Sequence, residues 1–225
     1  RPAVRQIGPL RTIEFPAAGK DALTIVLFHG YGANGADLAP LAAEIPTTKP
    51  ARWEFPDAPL SLPFGGLAWF EIDVAAIEEA QRTGTPVDWS DSDPDALASA
   101  RVQAQAFIKE LGVPWDRLVL GGFSQGSMLA TELALRAPES PRGLVILSGN
   151  LICAKSWSQL GAARKGLKFF QSHGLADPIL GHRGAQRLNA LLNGCGLSGS
   201  LESFEGGHAI PLETIAGMGR YLDSL

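Results

Sequence analysis

Residues Gly122-Phe123-Ser124-Gln125-Gly126 place a serine between two glycines. A serine hydroxyl is a poor nucleophile at neutral pH unless a base takes its proton. On a sharp bend from strand to helix, flanking glycines remove the side chains that would strike neighbouring backbone. The hydroxyl is then pushed outward, over helix N–H groups that favour developing negative charge. The alternative is a glycine-rich turn whose serine caps a helix. The apolar "RLVLGG" before Ser124 and the helical "SQGSMLATELALRAP" that begins with it favour the nucleophile.

The base is sought among four histidines. His29 and His173 each precede a glycine at a strand end and read as structural, bonded to nearby backbone. His182 sits among polar neighbours in a helical stretch and reads as a surface residue. His208, in "EGGHAIP" after the last strand, is the candidate base. Such a base needs a carboxylate to fix its tautomer and stabilise the imidazolium. Asp177, in "HGLADPI" on a loop after a strand, fits that role, with a plain Asp-Pro turn as the alternative. Two backbone donors must hold the oxyanion. The N–H of Gln125 is one candidate, and that of Tyr31, in "HGYGANG", is the other.

The elements that must position these groups alternate. Strands are expected over 22–30, 52–59, 117–122, 143–150, 167–174 and 199–207. Helices are expected over 36–45, 93–112, 124–138, 180–194 and 213–225. Short continuous apolar strands alternating with helices specify a mostly parallel sheet covered by helices on both faces. In such sheets ligands sit at the carboxyl ends of the strands, where His29, Ser124, Asp177 and His208 all fall. The stretch 56–92, rich in Pro, Gly and Asp, is too long for an ordinary connection and reads as a functional loop.

The 225 residues, 45% hydrophobic and 19% charged, suit one domain over 1–225. A net charge of -4 with no basic stripe argues against nucleic acid as a partner. No apolar run approaches the ~18 residues of a membrane span, so no integral membrane contact is expected. No signal peptide is visible, and a cytoplasmic setting is expected. Cys153 and Cys195 lack metal-ligand spacing and read as two separate thiols. Neither a cofactor nor a metal is called for, and a homodimer is compatible with the sequence.

The segments "LFHGYGANGADLAPLA", "WFEID", "GGFSQGSMLA", "SHGLADPI" and "FEGGHAIPLETI" occur in this order along the chain. With them the chain resembles the acyl-protein thioesterase and phospholipase/carboxylesterase family. The resemblance implies an α/β-hydrolase fold without a large cap domain. It also implies a Ser124–Asp177–His208 triad with Tyr31 and Gln125 as oxyanion donors. The expected activity is hydrolysis of small acyl esters of short to medium chain length, with thioesters or lysophospholipids as further substrates. The rival readings are a non-catalytic binding protein on this fold, or a peptidase or amidase. The apolar loop "PLSLPFGGLAWF" (59–70) is read as the acyl-chain wall through Phe64, Leu67 and Trp69, with core packing as its alternative. The segment 76–95 departs from the family's common wording, and it too lies where an acyl pocket could be covered.

Overall fold

A computed structural model describes residues 1–225. Its main sheet has eight strands: β1 (Ala3–Ile7), β2 (Leu10–Phe15), β3 (Leu23–Phe28), β4 (Ala51–Pro56), and four more described below. A two-stranded antiparallel hairpin, β5 (Leu60–Ser61) and β6 (Leu67–Ala68), stands apart from it. The remaining strands of the main sheet are β7 (Leu118–Phe123), β8 (Gly143–Leu147), β9 (Phe169–Gly174) and β10 (Leu201–Phe204). The spatial order is β1-β2-β4-β3-β7-β8-β9-β10. From β4 to β10 every pairing is parallel, whereas β1 and β2 are joined antiparallel at one edge.

The central strands are buried on both faces, so their side chains alternate between two cores. Val26, Phe28, Leu118, Leu120, Leu144 and Ile146 enter one core. Ile25, Leu27, Val119, Val145 and Leu147 enter the other. Helices α1 (Gly35–Leu38), α2 (Leu41–Glu44) and α8 (Leu212–Asp223) cover the second core. Helices α4 (Asp95–Leu111), α5 (Gln125–Arg136), α6 (Ala154–Leu160) and α7 (His182–Gly194) cover the first. α5 is buried almost all round, wedged between the sheet and α4. The remaining helix, α3 (Val74–Thr83), has no buried residue.

Three local expectations are corrected. The helix expected over 36–45 is two short turns, because Pro40 has no N–H to give and becomes the N-cap of α2. The helix expected over 93–112 begins at Asp95, because Pro94 is extended and serves as its N-cap. The stretch 56–92 contains both the β5–β6 hairpin and α3. Gly112 ends α4 in the left-handed conformation, which a glycine adopts without strain. No helix is long and apolar enough to cross a membrane.

Candidate active site

β7 delivers Ser124 to the carboxyl edge of the sheet, and α5 begins at the next residue. Ser124 adopts φ 56° and ψ -120°, a region non-glycine residues rarely visit, at a cost of about 1–3 kcal/mol. Its N–H donates to the Leu147 carbonyl of the neighbouring strand (2.8 Å), which helps hold the bend. The flanking glycines are required by contact. A Cβ on Gly126 would lie 1.9 Å from the Phe28 carbonyl oxygen, and one on Gly122 would lie 2.4 Å from the Gly126 backbone.

The structure brings the three sequence candidates together. His208 Nε2 lies 3.0 Å from Ser124 Oγ, and His208 Nδ1 lies 2.7 Å from Asp177 Oδ2. The other Asp177 oxygen accepts the N–H groups of Ile179 and Leu180, both at 2.9 Å, which fixes the carboxylate plane. Burial pushes the Asp177 carboxyl up. The His208 hydrogen bond and charge, with those two N–H donors, outweigh it and hold the group below the ordinary carboxylate range. Asp177 is therefore ionised at neutral pH and aimed at the imidazole. Phe123 packs against the His208 ring with centroids 4.8 Å apart.

His29 and His173 are fully buried, and burial holds both below the ordinary imidazole range, hence neutral. His29 Nδ1 donates to the Gly30 carbonyl (2.8 Å), and Nε2 accepts the Ala58 N–H (3.0 Å). His173 Nε2 donates to the Leu180 carbonyl (2.6 Å) behind Asp177. Both are structural, as their strand-end positions suggested. His182 is half-buried, with Nε2 2.7 Å from Ser203 Oγ.

Tyr31 follows β3 on a loop that runs beside the elbow: a Cβ on Gly30 would stand 3.4 Å from the Ser124 Cβ. The Tyr31 N–H donates to no group of the chain. Gln125, at the first position of α5, has an N–H that no helical carbonyl can reach. Both residues line the cleft that holds Ser124 and His208.

The expected acyl wall is corrected. Phe64 is fully exposed (102%) at the tip of the β5–β6 hairpin, away from the cleft. Leu67 pins the Tyr31 loop through its backbone: its carbonyl accepts the Gly32 N–H (2.8 Å) and its N–H donates to the Ala33 carbonyl (2.9 Å). Trp69 is buried, edge-on to Phe28, and its indole N–H donates to the His29 carbonyl (2.8 Å). Core packing, the alternative for this loop, is what Trp69 does. None of the three lines the cleft.

The cleft of about 350 Å³ is walled by Phe70, Ile72, Ile77, Trp89, Met128 and Ile152, with Ile179 and Leu180 beyond Asp177. That size and apolar character suit a small acyl chain. The wall thus begins where the 59–70 loop ends and continues through α3 to Pro94. Two signals could have exposed part of it. Met128 lies four residues past Ser124, one helical turn along α5, and Ile179 lies two past Asp177. Sequence reasoning also missed the Gln125 side chain. Its Oε1 accepts the Trp69 N–H (2.9 Å) and its Nε2 donates to the Phe70 carbonyl (2.6 Å), clamping the start of the wall.

A metal has no obvious seat, because no group of three His, Cys, Asp or Glu side chains could hold an ion. Cys153 and Cys195 are both free. Burial, with Asp93 and Glu132 nearby, pushes the Cys153 thiol up to about 12, so it is an inert packing group.

A family model described as phospholipase/carboxylesterase matches residues 12–225. The chain is similar to acyl-protein thioesterase 1 of Yarrowia lipolytica, with 28% identity over 76% of this chain and 77% of the relative. Among solved structures it is similar to esterase PE8, with a TM-score of 0.78, 23% identity and coverage of 96% and 97%. It is also similar to Zea mays acyl-protein thioesterase 2, with a TM-score of 0.70, 25% identity and coverage of 95% and 98%. These likenesses place the fold among the α/β-hydrolases.

Proposed function

We propose that Ser124 is the nucleophile of this chain, which belongs to the phospholipase/carboxylesterase family and is a carboxylic ester hydrolase. The observation that carries the reading is the hydrogen-bonded series Ser124–His208–Asp177 at the mouth of an apolar cleft. Neutral His208 takes the Ser124 proton as Oγ attacks the ester carbonyl. Asp177 holds Nδ1 protonated, so Nε2 is the basic nitrogen, and it stabilises the imidazolium that forms. The N–H groups of Tyr31 and Gln125 donate to the developing oxyanion, and the acyl chain lies along Phe70, Ile77 and Met128. His208 gives its proton to the leaving group, then activates water to release the acid from Ser124.

The substrates are short to medium acyl esters, and thioesters of similar size react by the same steps. The acyl-protein thioesterases among the relatives support the second class. A cytoplasmic setting is in keeping with two unpaired cysteines, and fractionation of the native host would test it. The function is tested by the Ser124→Ala variant with p-nitrophenyl butyrate. Its kcat should fall by ~10³-fold or more, and fluorophosphonate labelling should vanish. Turnover within about tenfold of the parent protein would remove Ser124 as nucleophile.

A further inference from the structure

The charges of this chain are sorted along the strand direction. Lys or Arg precedes or opens most of the parallel strands: Lys20 before β3, Arg52 in β4, Arg117 before β7, Arg142 before β8 and Lys168 before β9. At the opposite, catalytic edge the pattern inverts. The stretches 29–48, 57–81, 124–135, 148–154, 175–182 and 205–219, which follow β3, β4, β7, β8, β9 and β10, contain no Lys or Arg. They do contain carboxylates. Glu71 and Asp73 line the cleft with Ser124 and His208. Asp37 and Glu44 line a second depression bordered by Gly30 and Phe123, the neighbours of Tyr31 and Ser124. All four are exposed. Neither lining includes a Lys or Arg. Arg82 on α3 is held by Glu79, and Arg187 on α7 by Asp88. Arg183 and Arg187 border a separate depression.

From this sorting we infer that the catalytic mouth selects its substrate by charge, favouring esters and thioesters with a cationic leaving group and turning away anionic ones. The inference rests on Ser124 as the nucleophile and adds the class of leaving group. Like-signed charges around a cleft with low-dielectric walls focus the potential, raise the local concentration of the opposite charge and speed encounter. A cationic leaving group meets Asp37, Glu44, Glu71 and Asp73 on the way to Ser124, with no cation in either lining to oppose it. A carboxylate or phosphate on the leaving group meets like charge in both linings; Lys155 and Arg183, in the first turns of α6 and α7, lie outside them. An anionic surface faced by this edge is repelled in the same way.

The test uses three butyryl thioesters of matched length: butyrylthiocholine, its uncharged 3,3-dimethylbutanethiol isostere, and S-butyryl-3-mercaptopropionate. kcat/KM is measured for each between ~10 mM and ~0.5 M salt, a range over which the screening length falls from about 30 Å to a few Å. The cationic-to-anionic ratio should exceed roughly tenfold at low salt and shrink severalfold at high salt. The salt dependence separates the field from the intrinsic reactivity of each thiol. In the double variant Glu44→Gln, Glu71→Gln the low-salt ratio should fall severalfold, with circular dichroism and Tm checking the fold. A low-salt ratio near one, a ratio that salt leaves unchanged, or one the double variant does not reduce would each overturn the inference. Failure of the nucleophile reading is read separately, as hydrolysis of the uncharged thioester by Ser124→Ala.

Discussion

Two apolar segments follow β4, and they do different work. The first, 59–70, carries the exposed Phe64 and the buried Trp69, and its Leu67 backbone bonds the loop that holds Tyr31. The second runs from Phe70 to Pro94 and forms the wall of the cleft through Ile72, Ile77 and Trp89. By composition either could be an acyl pocket. What separates them is where their polar groups go. The first segment spends its N–H and C=O groups on Gly32, Ala33, His29 and Gln125, which makes it a brace. The second leaves α3 without a buried residue, laid over a cleft. An apolar loop tied at several points to the backbone around Ser124 and Tyr31 positions it, and one tied to Gln125 through the Phe70 carbonyl alone is free to contact substrate beyond that point.

The sharpest break of this comparison is Trp69→Ala. It should destabilise the fold by about 3–5 kcal/mol, as expected for a large buried aromatic. It should also lower kcat by a similar factor for every acyl length, because the His29 carbonyl loses its donor. A selective loss of long-chain turnover would make Trp69 part of the wall after all. Gln125→Ala comes next. Loss of two buried hydrogen bonds should cost about 1–3 kcal/mol and loosen the junction of brace and wall, lowering kcat and blurring acyl preference together. Denaturation midpoints and an ester series would read both effects.

The wall itself is probed by Ile77→Ala and Met128→Ala. Each buried CH₂ of substrate is worth about 0.8 kcal/mol, roughly fourfold in kcat/KM, until the wall ends. Shortening either residue should move the optimum toward longer chains. An optimum that neither change moves would place the acyl chain elsewhere. Phe64→Ala is the smallest expected effect: an unchanged acyl profile, as a side chain exposed at a hairpin tip requires.

The brace grows from β4, where Glu54 is buried beside Glu14 of β2. Arg52 and Thr12 bond Glu54, and Arg5 and Arg52 bond Glu14. Burial, with Glu14 alongside, raises the Glu54 carboxyl to about 8. Burial opposes the shift of Glu14, but its bonds to Glu54, Arg5 and Arg52 bring it down to about 2. The folded protein thus keeps a proton on Glu54 that the unfolded chain releases near its ordinary value of 4.5. Its contribution to stability is complete below 4.5 and is lost as pH rises toward 8. Glu14 has the opposite sense, losing its contribution as pH falls from 4.5 toward 2. His29 and His173, held neutral by burial, add stability as pH rises to their ordinary 6.5. The Glu54 effect is therefore read above it: urea midpoints of the parent protein should decline from pH 7 to 8, and Glu54→Gln should flatten that slope. An equal slope in the variant would assign the decline to other groups.

How far the sequence could be read follows from how local each constraint is. The elbow was legible because its two glycines flank Ser124 in a five-residue pattern, although the contact that demands Gly126 is with the distant Phe28 carbonyl. The order of Ser124, Asp177 and His208, each just past a strand, carried the rest of the triad geometry. The central strands were legible as continuous apolar runs. The β1–β2 hairpin was not, because its edge strand exposes Val4, Arg5 and Gln6 and has no apolar run to announce it. Nor was α3, which buries nothing and so shows no core-facing stripe. Trp69 was misplaced because an indole suits a core and a substrate wall equally well. Only the His29 carbonyl and the Gln125 amide, 40 and 56 positions away, tell them apart.

The central claim joins a nucleophile to a wall, and one labelling measurement addresses both. An alkyl fluorophosphonate with a terminal diazirine is allowed to react, irradiated, and mapped by peptide mass spectrometry. The phosphonate should sit on Ser124, and the photo-adduct on the 70–94 segment or the first turns of α5. A phosphonate on any other residue, or a photo-adduct on the hairpin around Phe64, would contradict the account.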